Sequence, residues 1–160
     1  MRETVFNWLD RLLPGARCLD LFAGTGALGF EALSRGAAHA VLVEQDRHTA
    51  SALSRQKEEL GADAEVVCDD ARNYLDKADL TGFDIVFLDP PYELAAGSML
   101  ESLRTRLAPG TLIYLERDSS DEWPLLAGFE WTRRAQAGAV AYGIGEQAAS
   151  GKISDVQGLE

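Results

Sequence analysis

The feature that most constrains the fold is a glycine-rich turn between an apolar segment and a helical pattern. The apolar segment runs from Arg17 to Phe22, and glycines follow at 24, 26 and 29 in the pattern G-x-G-x-x-G. Glycines at these spacings permit a tight strand-to-helix turn and let a ligand approach the backbone closely. The stretch therefore predicts the first strand, turn and helix of a nucleotide-cofactor-binding domain.

Strand and helix patterns alternate along most of the chain. We predict helices over 3–13, 27–34, 47–60, 70–77 and 97–107, and strands over 17–22, 40–44, 64–68, 83–88 and 111–116. The strands are apolar throughout, which is typical of a parallel sheet covered by helices on both faces. Two further strand-like runs, 129–135 and 139–144, have no helix between them, so we predict an antiparallel hairpin at the sheet edge.

These patterns predict one α/β domain over residues 1–145 with a doubly wound, mostly parallel sheet. Residues 1–13 form a leading helix, and the polar, aperiodic segment 146–160 is expected to be disordered. No apolar run reaches the roughly 20 residues that cross a bilayer, and the N-terminus lacks the apolar core of a signal peptide. We therefore expect a cytoplasmic, monomeric protein that does not contact membranes.

The charge of the chain weighs against broad binding of polyanions. The formal net charge is -11, whereas proteins that bind nucleic acid usually carry a basic face. The acidic residues are unevenly placed, since positions 44–84 hold eleven of them against five basic residues. A local contact with RNA remains compatible with this distribution, for example through Arg117 after the fifth strand, although a solvated arginine is an equal alternative there.

Cysteines and histidines do not predict a metal site. Cys18 and Cys68 lie in predicted strands outside any C-x-x-C pair, so we expect small buried side chains in a reducing compartment. His39 and His48 have no partner at ligand spacing. The three tryptophans are interpreted as packing residues rather than platforms for bases.

An acidic residue completes the cradle formed by the glycine turn. Glu44 lies 20 residues after Gly24 and ends the second strand, where a carboxylate can accept both hydroxyls of a ribose. Asp70 and Ala71 follow the third strand, near the same crevice, where an adenine edge could be recognised. A helix cap is an equal alternative for Asp70.

Asp20 distinguishes between two cofactor classes that share this geometry. A dinucleotide places a pyrophosphate on the helix N-terminus, whereas S-adenosylmethionine carries an ammonium and a sulfonium. Asp20 lies within the strand, four residues before Gly24, and a carboxylate there suits the ammonium better than a pyrophosphate. The sequence therefore favours S-adenosylmethionine, with no metal.

The fourth strand ends in Asp89-Pro90-Pro91-Tyr92. Pro91 lacks an N–H, so the Pro90 carbonyl and the Asp89 carboxylate are two acceptors available to an exocyclic amine. The Tyr92 ring offers a surface on which a base can stack. This arrangement predicts methyl transfer to a planar amine, with catalysis by alignment and by electrostatic support of developing positive charge.

The residues of these motifs resemble those of a known family. Asp20–Gly26 together with Asp89–Tyr92 resembles the class I S-adenosylmethionine-dependent methyltransferases. Arg2–Leu9 and Glu31–Gly36, taken with the glycine turn, are similar to the RsmD family, which methylates guanine N2 in 16S ribosomal RNA and whose target is guanine 966. The resemblance extends from Arg2 to about Gly145.

The resemblance implies a Rossmann-like sheet of seven strands, S-adenosylmethionine as methyl donor, and 16S ribosomal RNA within a small-subunit assembly particle as partner. It places Asp89 and Tyr92 at the target base, Glu44 at the ribose, and Asp70 with Ala71 at the adenine. Pro90 joins Asp89 and Tyr92 as the catalytic set. The residues assigned to the cofactor are Asp20, Phe22, Ala23, Gly24, Gly26, Glu44, Gln45, Asp70, Ala71 and Asp89.

One departure from the family pattern concerns RNA. The family carries a basic, arginine-rich segment ahead of the helix that here begins at Arg2, and this segment is absent from the sequence. The expectation is weaker affinity for RNA with cofactor binding retained. Three alternatives stay open: a DNA amino-methyltransferase acting on adenine or cytosine, a cofactor-binding domain without RNA activity, and an NAD(P)-dependent oxidoreductase.

Overall fold

The computed structural model describes residues 1–91 and 96–147. The helices within these ranges are α1 (Arg2–Leu9), α2 (Ala27–Ser34), α3 (Arg47–Leu60), α4 (Ala71–Lys77) and α5 (Ala96–Arg104). The strands are β1 (Arg17–Asp20), β2 (His39–Glu44), β3 (Ala64–Cys68), β4 (Ile85–Leu88), β5 (Leu112–Asp118), β6 (Phe129–Ala137) and β7 (Val140–Gln147). No helix within the described ranges is long and apolar enough to cross a bilayer.

The strands form one sheet in the order β3-β2-β1-β4-β5-β7-β6. The first five strands of the chain run parallel, and β7 pairs antiparallel with both β5 and β6. The predicted mostly parallel sheet with an antiparallel hairpin is therefore confirmed. Because the chain leaves β1 towards β2 on one side and returns as β4 on the other, the crevice for a ligand lies at the carboxyl ends of β1 and β4.

Local sequence explains where the best-predicted elements begin and end. The Asp46 carboxylate accepts a hydrogen bond from the backbone N–H of Thr49, which caps α3 as expected. Gly61 has φ +59° and ends the same helix in the left-handed conformation. Helix α2 and strand β3 have the predicted bounds.

Several predicted boundaries were wrong by a few residues; for example, β1 ends at Asp20 rather than residue 22, and α5 ends at Arg104 rather than residue 107. The leading helix ends at Leu9 rather than residue 13, and the N–H groups of Leu12 and Leu13 both bond to the Leu9 carbonyl in a turn. Pro14 disfavours helical backbone at Leu13, and Leu12 is 54% exposed. Strand β4 begins at Ile85 instead of residue 83, because the Asp84 N–H already bonds to the Arg17 carbonyl outside the strand.

Two other expectations, on the end of the last strand and on the burial of Cys68, were also wrong. The C-terminal strand β7 runs to Gln147, whose register partner is Phe129, so residues 146 and 147 belong to the sheet. The remainder of the expected tail, 148–160, lies outside the described residues. Cys68 is exposed rather than buried, while Cys18 is buried as expected, and both thiols are free.

The core has two layers, one on each face of the sheet. On one face, α1 and α2 contribute Phe6 and Ala32 and pack against Phe87 and Tyr114 of the strands. On the other face, α4 and α5 pack through Leu75, Met99, Leu100 and Leu103 against Leu19, Val86 and Leu115. Alternation along each strand sends consecutive side chains to opposite layers, which fixes the face on which each polar strand residue lies.

The third glycine of the turn allows α2 to pack tightly on β2. A Cβ atom built at Gly29 would lie 2.2 Å from Leu42 Cδ2 and 3.7 Å from an Asp20 carboxylate oxygen. Real Cβ atoms do not approach a neighbour so closely, so a side chain at this position would force the buried Leu42 side chain or the helix to shift.

We predict that Gly29→Ala lowers the free energy of unfolding by about 1–3 kcal/mol, because a methyl group would overpack this contact. Gly97→Ala is the matched control, since Gly97 is also helical but a Cβ there meets no heavy atom within 4 Å. Both variants gain the same helix propensity, so their difference in urea unfolding isolates the contact. Equal stabilities of the two variants would contradict the prediction.

Candidate active site

A cavity of about 800 Å³ opens at the carboxyl ends of the parallel strands. Its walls come from the segments that follow β1, β2, β3, β4 and β5. Most of the residues assigned from the sequence meet there, although they are spread over some seventy positions of the chain. Those that line the cavity are Phe22, Gly24, Glu44, Gln45, Asp70, Ala71, Asp89 and Pro90.

The glycine turn forms one wall by exposing its backbone. Gly24 and Gly26 have φ angles of +54° and +80°, which L side chains rarely adopt. A Cβ built at Gly24 would meet no heavy atom within 4 Å, so open space faces the turn at this position. Ala23 and Gly26 do not line the cavity but hold the turn, since the Ala23 N–H donates to Val43 and its carbonyl accepts from Gly26.

Asp20 lies behind the turn rather than in the cavity wall. Its side chain is 1% exposed, and its carboxylate accepts hydrogen bonds from the backbone N–H groups of Phe22 and Gly29. Burial raises the pKa of Asp20 to about 7, although these two hydrogen bonds act in the opposite direction. Its Oδ1 atom has no hydrogen-bond partner among the described residues. The carboxylate thus fixes the turn and keeps one acceptor unused.

The carboxylates of Glu44 and Asp70 differ in their hydrogen bonding. Asp70 caps α4, because its Oδ1 accepts the N–H groups of Arg72 at 2.9 Å and Asn73 at 3.2 Å. The cap proposed as an alternative for Asp70 is therefore present, although the residue also lines the cavity. Glu44 is half-buried at the end of β2, and within the described residues its carboxylate makes no hydrogen bond, so it is available to a ligand.

Asp89 follows β4 and lies beside Glu116 of β5. The register pairs Leu88 with Leu115, which brings the next residue of each strand together at the sheet edge. Burial raises the pKa of Asp89 to about 7, and the charge of Glu116 and a hydrogen bond between the two carboxyl groups act in the same direction. The two carboxyl groups therefore lie within hydrogen-bonding reach of each other at the sheet edge.

The Asp89–Glu116 pair is anchored from the core. The Tyr114 hydroxyl donates to Glu116 Oε1 at 2.5 Å, and the Tyr114 ring, 1% exposed, packs edge-on against Phe87 at 6.0 Å. Pro90 and Pro91 continue the cavity wall beyond Asp89. Tyr92, predicted to stack on the target base, lies outside the described residues, so its role stays a prediction.

Arg117 is buried rather than solvated. Its side chain is 8% exposed and lines the cavity, with the guanidinium 5.1 Å from the centre of the Trp123 ring. Neither terminal nitrogen has a hydrogen-bond partner among the described residues. Trp123 in turn packs against Trp131 at 4.8 Å, in agreement with the packing role predicted for the tryptophans.

Sequence reasoning missed several residues of the cavity wall. They are Leu21, Val43, Ala96, Glu116, Asp118, Asp121 and Val140. Glu116 could have been found, because it ends the predicted fifth strand and the carboxyl ends of parallel strands share one edge. Val140 could not, since it depends on the register of β7 against β5.

The cavity is strongly acidic. Carboxylates at 44, 69, 70, 89, 116, 118 and 121 line it, against the single basic side chain of Arg117 among the described lining residues. No group of three His, Cys, Asp or Glu side chains within residues 1–91 and 96–147 has the geometry of a metal site. A cationic ligand would therefore be favoured in the cavity over an anionic one.

Known proteins resemble this chain over most of its length. A family model described as conserved hypothetical protein 95 matches residues 1–146. The ribosomal RNA small subunit methyltransferase D of Escherichia coli strain K12 is 40% identical over 159 residues, which cover 95% of this chain and 79% of the relative. The protein of the same name from Haemophilus influenzae is 36% identical over 151 residues, covering 89% and 77%.

Solved structures share the fold. The yhhF protein of Escherichia coli has a TM-score of 0.87 at 40% identity, covering 92% of this chain and 85% of its own. An RNA methyltransferase from Salinibacter ruber, solved in complex with S-adenosyl-L-homocysteine, has a TM-score of 0.72 at 17% identity, covering 92% and 90%. At that identity the second likeness shows the fold alone.

We predict that the stability of the protein falls as pH rises through the range in which Asp89 ionises. The pKa of Asp89 is about 7 in the folded state against 3.8 for an ordinary aspartate, so the folded state binds the extra proton and loses stability between about pH 4 and pH 7. Asp89→Asn should be more stable than wild type by about 1 kcal/mol at pH 7, a value reduced for solvent screening, with no difference near pH 4.

Asp46→Asn supplies a control of opposite sign. Hydrogen bonds from Thr49 lower the pKa of Asp46, so its stabilising effect is present above the ordinary aspartate pKa and is lost as the pH falls. Urea unfolding of the three proteins at several pH values measures both effects. A difference between wild type and Asp89→Asn that did not change with pH would contradict the raised pKa of Asp89.

Proposed function

The chain belongs to the RsmD family of class I methyltransferases, and we propose that it transfers the methyl group of S-adenosylmethionine to the exocyclic N2 of a guanine in 16S ribosomal RNA. The observation that carries this proposal is the convergence of the glycine turn, Glu44 and Asp89-Pro90 on one acidic cavity. The relatives from E. coli and H. influenzae are named as ribosomal RNA small subunit methyltransferases.

The residues present fit S-adenosylmethionine. Open space lies in front of Gly24, and the Glu44 carboxylate is free to accept the two ribose hydroxyls. Asp70 and Ala71 line the cavity, and we propose that they border the adenine. When bound, the cofactor supplies a methyl group on a sulfonium, together with a cationic ammonium. The surplus of carboxylates around the cavity supports such a cation and opposes the pyrophosphate of a dinucleotide.

The cavity also fits a planar amine next to the cofactor. Asp89 and Pro90 line the cavity, and their carboxylate and carbonyl oxygens are proposed to accept the two N–H groups of an exocyclic amine, which would orient the lone pair of the nitrogen towards the methyl group. Tyr92 is proposed to stack on the target base. The contribution of the protein is alignment of the two reactants and electrostatic support for positive charge as it develops on the nitrogen.

The proposed partner is 16S ribosomal RNA within a small-subunit assembly particle, bound by the protein as a cytoplasmic monomer. The net charge of -11 opposes long-range attraction to RNA. Contacts with phosphate are therefore expected to be few and local, with Arg117 at the cavity and the exposed pair Arg133 and Arg134 on β6 as candidates. An assembled particle would supply shape complementarity that naked RNA lacks.

We predict that calorimetry detects binding of S-adenosylhomocysteine and no binding of NADH. Glu44→Gln should weaken the binding of S-adenosylhomocysteine about tenfold or more, because it replaces a charged acceptor of the ribose hydroxyls. Glu59→Gln, on the exposed face of α3, is the matched control and should bind as wild type does. Binding of NADH instead would refute the cofactor assignment.

We further predict that Asp89→Ala abolishes methyl transfer while it leaves the affinity for S-adenosylhomocysteine nearly intact. The reason is that Asp89 is proposed to act mainly on the target amine. Transfer is measured with tritiated S-adenosylmethionine on hypomethylated 30S particles, and the modified base is identified by mass spectrometry. Equal losses of affinity and transfer would show that Asp89 serves the cofactor instead, and methylation of a base other than guanine would refute the proposed specificity.

A further inference from the structure

We propose that the Glu116 carboxylate accepts a hydrogen bond from the N1–H of the target guanine and thereby selects guanine over the other amine-bearing bases. This inference rests on the proposed function, since it assigns the base specificity of the same cavity. Glu116 lines the cavity at the end of β5, directly beside Asp89 at the end of β4. It is therefore placed to meet the part of the base next to the amine that Asp89 is proposed to hold.

The position of the Glu116 carboxylate is fixed from the interior. Tyr114 is buried in the core and donates its hydroxyl to Glu116 Oε1 at 2.5 Å. Since Tyr114 and Glu116 are two residues apart on one strand, their side chains lie on the same face of the sheet. One oxygen of Glu116 is thus engaged by the core, and the carboxyl group also meets that of Asp89 at the cavity wall.

The two carboxyl groups match the hydrogen-bonding pattern of guanine. In the free protein, the carboxyl groups of Asp89 and Glu116 lie within hydrogen-bonding reach of each other. Guanine presents two adjacent donors, N1–H and N2–H, to which two ionised carboxylates are complementary. Adenine and cytosine present an amine next to a ring nitrogen that accepts, so they would leave one carboxylate facing an acceptor. Two carboxylates side by side therefore favour guanine.

Recognition by Glu116 has a large effect on the choice of base, because a base without a donor at this position would leave the Glu116 carboxylate unpaired. A carboxylate held against a ring acceptor in a partly buried site loses its hydrogen bond and meets a repulsive partner. Sites built to hydrogen-bond one donor of a substrate discriminate strongly against the analogue that lacks it. A purine that keeps the amine at N2 but lacks the hydrogen at N1 should therefore be a poor substrate.

The test compares guanine with 2-aminopurine, which retains the N2 amine but has an acceptor at N1. Small subunits are reconstituted on 16S ribosomal RNA ligated to carry either base at the methylated position, and kcat/KM for methyl transfer is measured. Wild type should prefer guanine by about 10- to 100-fold. Glu116→Gln should be slower on guanine and should lose most of this preference, because its amide N–H can donate to the N1 of 2-aminopurine.

Glu130→Gln on β6 is the matched control, since Glu130 is exposed and does not line the cavity; it should keep the wild-type preference. Binding of S-adenosylhomocysteine and the thermal unfolding midpoint establish that each variant is folded. If Glu116→Gln does not fold, Glu116→Asp takes its place: it keeps an acceptor but withdraws it, so guanine methylation should fall with no gain on 2-aminopurine.

The possible outcomes separate this proposal from the function on which it rests. If wild type binds S-adenosylhomocysteine but methylates no guanine N2, the proposed function fails and the role of Glu116 fails with it. If wild type methylates guanine N2 and Glu116→Gln keeps the wild-type ratio of guanine to 2-aminopurine, only the role of Glu116 is overturned. A wild-type enzyme that accepts both bases equally would overturn it as well.

Discussion

The site depends on the parallel register of the central strands β2, β1, β4 and β5. Asp20 pairs with Leu42 on one side and with Phe87 on the other, and Phe87 pairs with Tyr114. Because side chains alternate along a strand, the residues two positions beyond these partners point to the same face as Asp20. They are Glu44, Asp89 and Glu116, so hydrogen bonds between backbones bring four carboxylates of distant sequence origin to one edge of one sheet face.

Bringing these four carboxylates together costs electrostatic free energy in the folded protein when no ligand is bound. Burial is the main cause of the raised pKa values of Asp20 and Asp89, and each is raised further by the charges of other members of the same group. A buried carboxylate is costly to ionise unless a cation or hydrogen-bond donors compensate it. A ligand with positive charge and several N–H and O–H donors relieves this cost, whereas a phosphate would add to it. The destabilised acidic edge is thus a basis for ligand selectivity.

The general architecture was accessible from the sequence because its signals are local. Apolar strands, caps such as Asp46 and stops such as Gly61 act within a few residues, and they predicted the order and type of the described elements. The glycine turn and Glu44 were found because their spacing reflects one strand–helix–strand unit. Boundaries failed where distant backbone decided them, as at Asp84, whose N–H is bonded to Arg17 across the sheet.

The parts of the site that sequence reasoning missed arise from pairing between strands. The sequence could have placed Glu116 at the sheet edge as the end of the fifth strand, but no local signal pairs it with Asp89, because their proximity follows from the β4–β5 register. Likewise, the burial of Arg117 follows from Trp123, which reaches it from the connection between β5 and β6. In a fold whose strands all end at one edge, residues directly after the strands are thus candidates for the site whether or not they belong to a motif.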